Sequence, residues 1–186
     1  PEIIIDAPIV KEGDDAVISV FIENATGNVL IDVNEIRRNA TLKDNKATLT
    51  LSDLAIGTYN VTVHYDGNDI LLSGSNSTKF DVVDYIYTYK DLQALIDNAP
   101  AGQTINLVRD YIYDASVDQN VITIAKKITI NGNGFGVSGL DKAAIFKITA
   151  DDVVLDNLTL THANAEKGAA VFIASDNVIV KNSRFD

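Results

Sequence analysis

The sequence predicts an all-β chain in two parts: a small β-sandwich over residues 1–84, then a parallel β-helix closed at its start by one helix, over residues 85–186. Three observations carry this. Ile and Val together make up roughly a fifth of the residues and Thr adds more, the side chains that suit a pleated, half-buried surface. From Glu2 to about Asp84, short alternating runs are separated by turn signals. Beyond Asp84 one apolar pattern returns at residues 128, 153 and 178, a fixed step of 25 residues.

Composition narrows the function classes. Of the 186 residues 46% are hydrophobic and 22% charged, a balance that can bury real cores and is too apolar for a disordered chain. The absence of Cys removes thiol catalysis, disulfide scaffolds and thiolate zinc sites, and the absence of Met leads us to expect a cut or processed piece. A net charge of −11, with no Lys/Arg cluster longer than a pair, sets a repulsive field against phosphate backbones and anionic lipid heads. Nucleic acid is therefore not an expected partner. No stretch approaches the length of apolar chain that crosses a bilayer, and Pro1-Glu2 does not open a signal peptide, so no direct membrane insertion is expected. Asn-x-Ser/Thr triplets begin at Asn24, Asn39, Asn60, Asn76 and Asn157; with the absent Cys they lean towards an extracellular address, and the first four are candidate glycosylation sites, whereas Asn157 is expected inside the solenoid and inaccessible.

In the first part, Ile3 to Ile5, Ala16 to Glu23, Val29 to Val33, Ala47 to Leu51, Thr58 to Tyr65 and Lys79 to Val83 have strand character. Breaks fall at Gly13-Asp14-Asp15, Thr26-Gly27-Asn28, Asp44-Asn45 and Asp66-Gly67-Asn68-Asp69. Ala16, Ile18, Val20 and Ile22 are all apolar while the odd positions between them are mixed, so one face is buried. About seven short strands in such a length make a small sandwich.

The most informative stretch runs from Asp53 through Gly57 and Tyr59 to Val61. It resembles the corner of immunoglobulin-like sandwiches, in which a Tyr near the start of the penultimate strand turns its hydroxyl back onto the backbone a few residues upstream. The resemblance gives Tyr59 that role and puts Val61 where antibody domains have a Cys, so packing alone would hold the sandwich. With Tyr65-Asp66-Gly67-Asn68-Asp69, Ser73 and Phe80-Asp81-Val82 following, residues from about Pro8 to Val83 resemble bacterial immunoglobulin-like domains of the group 3 type, which serve as tandem spacers in surface proteins.

After Asp84 the periodicity changes. Thr88 can cap a helix whose apolar positions Tyr89, Leu92, Leu95, Ile96 and Ala99 fall at helical spacing; Asp91 stands three residues after the cap, and Pro100 and Gly102 end the helix. Short strands follow. Lys127 to Gly132, Asp152 to Asn157 and Asn177 to Asn182 align with one another, and a second strand, Ile145 to Ile148 and Ala170 to Ile173, recurs at nearly the same step. A coil of this kind cannot bury its inner face alone and must stack on its neighbours. Ile128, Val153 and Val178, and Ile130, Leu155 and Val180, would form aliphatic ladders through the core.

This half resembles the right-handed parallel β-helix family, in which an amphipathic helix closes the N-terminal end. The two halves together resemble the adhesin-like surface proteins of methanogenic archaea and of some bacteria, whose β-helix is of the kind seen in polymorphic outer-membrane proteins. The sequence stops at Phe185-Asp186 within a repeat, and the resemblance implies further coils and an anchor downstream.

The same β-helix, pectate-lyase-like in its fold, also carries polysaccharide lyases and hydrolases, so Asp151, Asp152, Asp156 and Asp176 with Lys181 or Arg184 are the candidates for catalysis. Their spacing reads better as solvated turn carboxylates, and no enzyme is expected. His64 and His162 lack a third ligand for zinc, and Ser52, Ser73 and Ser175 have no His-Asp context. Asp66, Asn68 and Asp69 crowd one Gly turn, but Ser77 stands where a calcium loop needs Glu, so turn chemistry accounts for them. Asn131 to Gly136 lacks the Lys-Ser/Thr of a phosphate loop and reads as a coil corner whose glycines supply positive φ. Asn157 and Asn182 are expected to stack as an internal Asn ladder.

The expectation is a non-enzymatic extracellular piece of a cell-surface protein, mediating attachment to a glycan or protein of another cell and needing no cofactor. The alternatives are a carbohydrate-active enzyme whose catalytic coils lie elsewhere in the protein, and a purely structural stalk. Tyr85, Tyr87 and Tyr89 are the best candidates for sealing the two domains together.

Overall fold

The computed structural model describes residues 1–164, 166 and 168–186. With 44% of residues in strands and 5% in helix, the chain is all-β. It divides into two compact units, Pro1–Ile86 and Tyr87–Asp186.

The first unit contains β1 (Ile4–Asp6), β2 (Val10–Lys11), β3 (Ala16–Phe21), β4 (Asn28–Val33), β5 (Ile36–Thr41), β6 (Lys46–Leu51), β7 (Gly57–Tyr65) and β8 (Gly74–Val83). They form two sheets, β1-β3-β6 and β2-β8-β7-β4-β5, antiparallel except where β2 runs alongside β8. Alternation decides which face goes inward. Ala16, Ile18 and Val20 of β3 are buried with Val29, Ile31 and Val33 of β4 and Val61, Val63 and Tyr65 of β7 in one cluster, while Val17 and Phe21 point out. Every strand expected here is present. The two added ones carry little sequence signal: β2 is two residues long, and β5, Ile-Arg-Arg-Asn-Ala-Thr, lies at a sheet edge with five of its six residues exposed. Arg37 and Arg38 on that edge discourage further strand pairing. Arg37 also bonds Asp32 at 2.8 Å, which holds the Asp32 carboxyl below the usual carboxylate range.

Three local devices fix this unit. The Tyr59 hydroxyl donates to the carbonyl of Ala55 at 2.9 Å, and its ring stacks on Phe80 with centroids 5.3 Å apart. Asp53, exposed and at φ 56°, turns the chain ahead of this corner, and Gly57 opens β7 opposite Val82. In the 66–69 turn, Asn68 accepts from the amides of Ile70 and Leu71 at 2.9 and 2.7 Å and donates to Asn24 and Thr26 at 3.1 and 3.3 Å. This is the local side-chain-to-backbone bonding for which Asn is favoured in turns.

The second unit opens with α1 (Tyr89–Asn98), capped by Thr88, whose N–H donates to Asp91 at 2.7 Å. A second carboxylate shares this work, since Asp118 accepts from the amides of Tyr89 and Lys90 at 3.1 and 2.8 Å. The helix buries Tyr89, Leu92 and Ile96, and burial pushes the Tyr89 phenol up. Leu95, expected to face the core, is instead 44% exposed. A core-facing stripe of one ten-residue helix needs only the 89/92/96 line, and Leu95 falls to its side.

The strands β9 (Thr104–Asn106), β12 (Thr129–Asn131), β15 (Val154–Asp156) and β18 (Ile179–Lys181) form a parallel sheet in which Ile105, Ile130, Leu155 and Val180 stand in register. A second sheet stacks β11 (Ile122–Ile124), β14 (Phe146–Ile148) and β17 (Val171–Ile173). A third stacks β10 (Tyr111–Ile112), β13 (Gly136–Ser138), β16 (Thr159–Thr161) and β19 (Arg184–Phe185). The arrangement is β-solenoid-like, with the expected ladders: Ile128, Ile130, Val153 and Leu155 are buried and Val178 and Val180 pack against them. In the last coil the ladder positions open to solvent, so Ile173 is 45% and Phe185 53% exposed where Ile148 and Leu160 above them are buried.

Polar side chains repeat the same step. Lys127 meets Asp152 at 3.3 Å, Lys181 meets Asp156 at 3.3 Å, Asn131 donates to Asn106 at 3.1 Å, and the Asp176 amide donates to Asp151 at 2.8 Å. Each pair is 25 residues apart, one coil on.

Two expectations are corrected at the corners. Of the three glycines in residues 131–136 only Gly134 has positive φ, at 85°. Gly132 is there for space, because a Cβ would fall 2.7 Å from Leu158 Cδ2 and against the backbone oxygen of Asn157. Asn157 and Asn182 are exposed and form no internal stack. They share left-handed φ of 53° and 51°, which Asn tolerates better than most residues, and Asn182 donates outward to Asp156 at 2.8 Å.

Candidate functional site

Within the second unit a groove of about 760 Å³ lies between α1 and the first coil, a size suited to a small or extended ligand. The fold creates it. Among the described residues β9 is the last strand of its sheet and pairs only with β12, while α1 packs against β10 and β11. One edge of β9 is thus left facing the groove with its main-chain polar groups.

The buried Ile105 and Tyr111 form the floor, and Leu95 and Val108, 44% and 63% exposed, form apolar walls. Asn98, Gln103 and Arg109 add polar groups, and none of these three side chains hydrogen-bonds to any described residue. Arg109 is half-buried, with its guanidinium carbon 3.9 Å from the centroid of the Tyr87 ring. Asp91, at the same groove, accepts from the Thr88 amide. Burial pushes the Tyr111 phenol up, with Arg109 acting in the opposite sense, so Tyr111 stays neutral at physiological pH.

Apart from Tyr87, which borders the groove, the sequence-predicted residues lie elsewhere. Asp53, Gly57 and Tyr59 form the corner of the first unit, and Thr88 caps α1. Of the catalytic candidates, Asp151, Asp152, Asp156 and Lys181 all make coil-to-coil bonds, and Asn182 holds the Asp156 carboxyl below its usual range, helped by Lys181. Arg184 pairs with Asp186 at 2.6 Å. His64 and His162 are both exposed, and no group of three or more His, Cys, Asp or Glu able to hold a metal occurs among the described residues. No helix among them is long and apolar enough to cross a membrane.

Among the Asn-x-Ser/Thr triplets, Asn24, Asn39, Asn60, Asn76 and Asn157 are all exposed, but they are not equivalent. The Asn76 amide donates to the carbonyl of Ile3 at 2.7 Å, so that nitrogen is already engaged with the chain just ahead of β1. Sequence reasoning missed the groove. Its signal was available in Leu95 and Val108, apolar residues outside the ladders.

Searches with family models, against curated proteins and against solved structures find no match to this chain.

Proposed function

We propose that this chain is a glycan-attachment piece of an extracellular, adhesin-like surface protein. In this reading the first unit is an immunoglobulin-like spacer, the second is the start of a right-handed β-helix, and the cap groove is the contact site. The observation that carries the reading is the pairing of apolar walls, Leu95 and Val108, with the unengaged amide side chains of Asn98 and Gln103 beside an open strand edge. Sugar rings offer both an apolar face and a fringe of hydroxyls, which these two kinds of group would meet. Bonding of Asp151, Asp152 and Asp156 between coils favours attachment over the alternative of polysaccharide cleavage at those residues.

A glycan array probed with the full chain and with Thr104→Trp tests this. Thr104 is exposed and lines the groove, so the indole fills the groove without entering the core. The reading requires binding to at least one glycan and its loss in the variant. Binding that survives the variant, or selective binding to a protein or peptide instead, contradicts it.

A further inference from the structure

Arg109 stands out among the charged groups of the second unit. The chain carries 26 Asp and Glu against 15 Lys and Arg, so a cation has many potential partners. Lys127, Lys181 and Arg184 have one, Lys126 bonds the carbonyls of Asp97 and Ala99, and Lys90, Lys142 and Lys147, which have none among the described residues, are exposed, whereas Arg109 is half-buried. Arg109 has no ion pair or hydrogen bond to any described residue. Its neighbours are committed elsewhere: Asp110 accepts from the Gly136 amide at 2.6 Å, on the next coil, and Asp91 accepts from Thr88.

The geometry of this arginine is also defined. Its guanidinium lies over the Tyr87 ring at 3.9 Å. A guanidinium packed face-on against a ring is restricted in rotation and keeps its N–H groups, which lie in its own plane, for other partners. A stacked, half-buried guanidinium with a free edge matches a planar or tetrahedral oxyanion, which it can hold by two parallel hydrogen bonds. Asn98 and Gln103, which can bond hydroxyls, line the same groove.

We propose that the groove selects an anionic sugar, its carboxylate or sulfate held by the in-plane N–H groups of Arg109 while the neighbouring ring rests against Leu95 and Val108. This rests on the glycan-binding reading above and adds the charge of the ligand. The net charge of −11 opposes such a ligand at long range, and salt screens that repulsion beyond about 8–10 Å while leaving the short contact to Arg109. Affinity should therefore hold or rise modestly as salt is raised towards physiological levels, unlike binding that depends on a broad basic surface.

The experiment uses the full chain on an array of uronate-containing, sialylated, sulfated and neutral oligosaccharides, followed by titration of the best binder. Preference for acid-bearing glycans is expected, with a fall of about tenfold to a hundredfold in Arg109→Gln. Arg109→Lys, which keeps the charge and loses the fork, should fall in between. Carboxyl-reduced or desulfated forms of the same glycan, titrated against the unmodified protein, should lose as much as Arg109→Gln does, a comparison that does not depend on the variant's folding. The carboxylate and sulfate arms identify which acid is held. Equal binding of neutral and acidic glycans, or no change in Arg109→Gln, overturns the inference and leaves the groove as a glycan site. Absence of any glycan binding overturns both.

Discussion

Two glycines in one corner of the solenoid should both lose stability on substitution by Ala, but only one of them should recover with Asn. Gly134 has φ 85° and open space around the position of a Cβ. Gly134→Ala therefore meets only the left-handed backbone penalty, about 1–2 kcal/mol, and Gly134→Asn should recover much of it, because Asn visits that region more readily. Gly132 carries no such conformation, but its Cβ would fall 2.7 and 2.8 Å from Leu158 Cδ2 and Cα, well inside the 3.5–4.0 Å at which carbon atoms pack. The corner of the next coil must then move. That shift strains the bonds from the Gly132 amide to Asp156 and from the Gly134 amide to Asn157, now 2.7 and 3.0 Å. Overpacking together with the weakening of these two bonds gives about 2–4 kcal/mol for Gly132→Ala, and Asn should be no better. Calorimetry of the full chain, with the transition of residues 87–186 assigned by hydrogen exchange, measures this; each kcal/mol corresponds to about 4–8 °C in a unit of this size. A Gly132→Ala protein within about 0.5 kcal/mol of the wild type, or rescue by Asn at 132, would refute the close-approach argument.

Three further outcomes are expected. Tyr59→Phe keeps the stack on Phe80 and loses the bond to Ala55, so denaturant unfolding of the first unit should show a loss of about 0.5–1.5 kcal/mol. Leu92 is fully buried and Leu95 44% exposed; Leu92→Ala should cost about 2–5 kcal/mol by the same method and Leu95→Ala under about 1. The Asp156 carboxyl is lowered from 3.8 in the folded chain, chiefly by Asn182 and then Lys181. Its stabilising contribution is accordingly complete above that value and is lost as pH falls through the lower, folded one. NMR titration of Asp156 should give a midpoint below 3.8, and Asp156→Asn should flatten the acid limb of the melting profile.

Long-range order in the second unit was legible because stacking makes every coil obey one constraint: inward positions must be aliphatic and must recur at the coil length. Ile128, Val153 and Val178 announce this, and Thr88 and Asp91 mark the cap by local chemistry. The first coil was harder to see, since Ile105 carries the ladder between polar neighbours Thr104 and Asn106 right after a helix end. The third sheet was missed because Val137 and Leu160 are each a single apolar residue between small or polar ones, too short for a period to show. Edge strand β5 escaped because an edge needs no apolar alternation. Leu95 was misplaced for the converse reason: helical spacing gives the width of an apolar stripe but not which border of it the core covers. The candidate groove depends on that border, on the free edge of β9 and on the stacking of Arg109 over Tyr87, all of which arise only when the coil closes. The Lys127–Asp152 and Lys181–Asp156 rungs, by contrast, are visible once polar columns are aligned at the same 25-residue step as the apolar ones.

The central claim is that ligand contact occurs in the cap groove of the second unit. Hydrogen–deuterium exchange of the full chain, with and without a saturating array-selected glycan, tests it most directly. Protection concentrated in residues 87–111, at the C-terminal half of α1, β9 and the segment bearing Arg109, is the predicted result. Protection on the outer faces of β12, β15 and β18, or within residues 1–86, with the 87–111 segment unchanged, would contradict it.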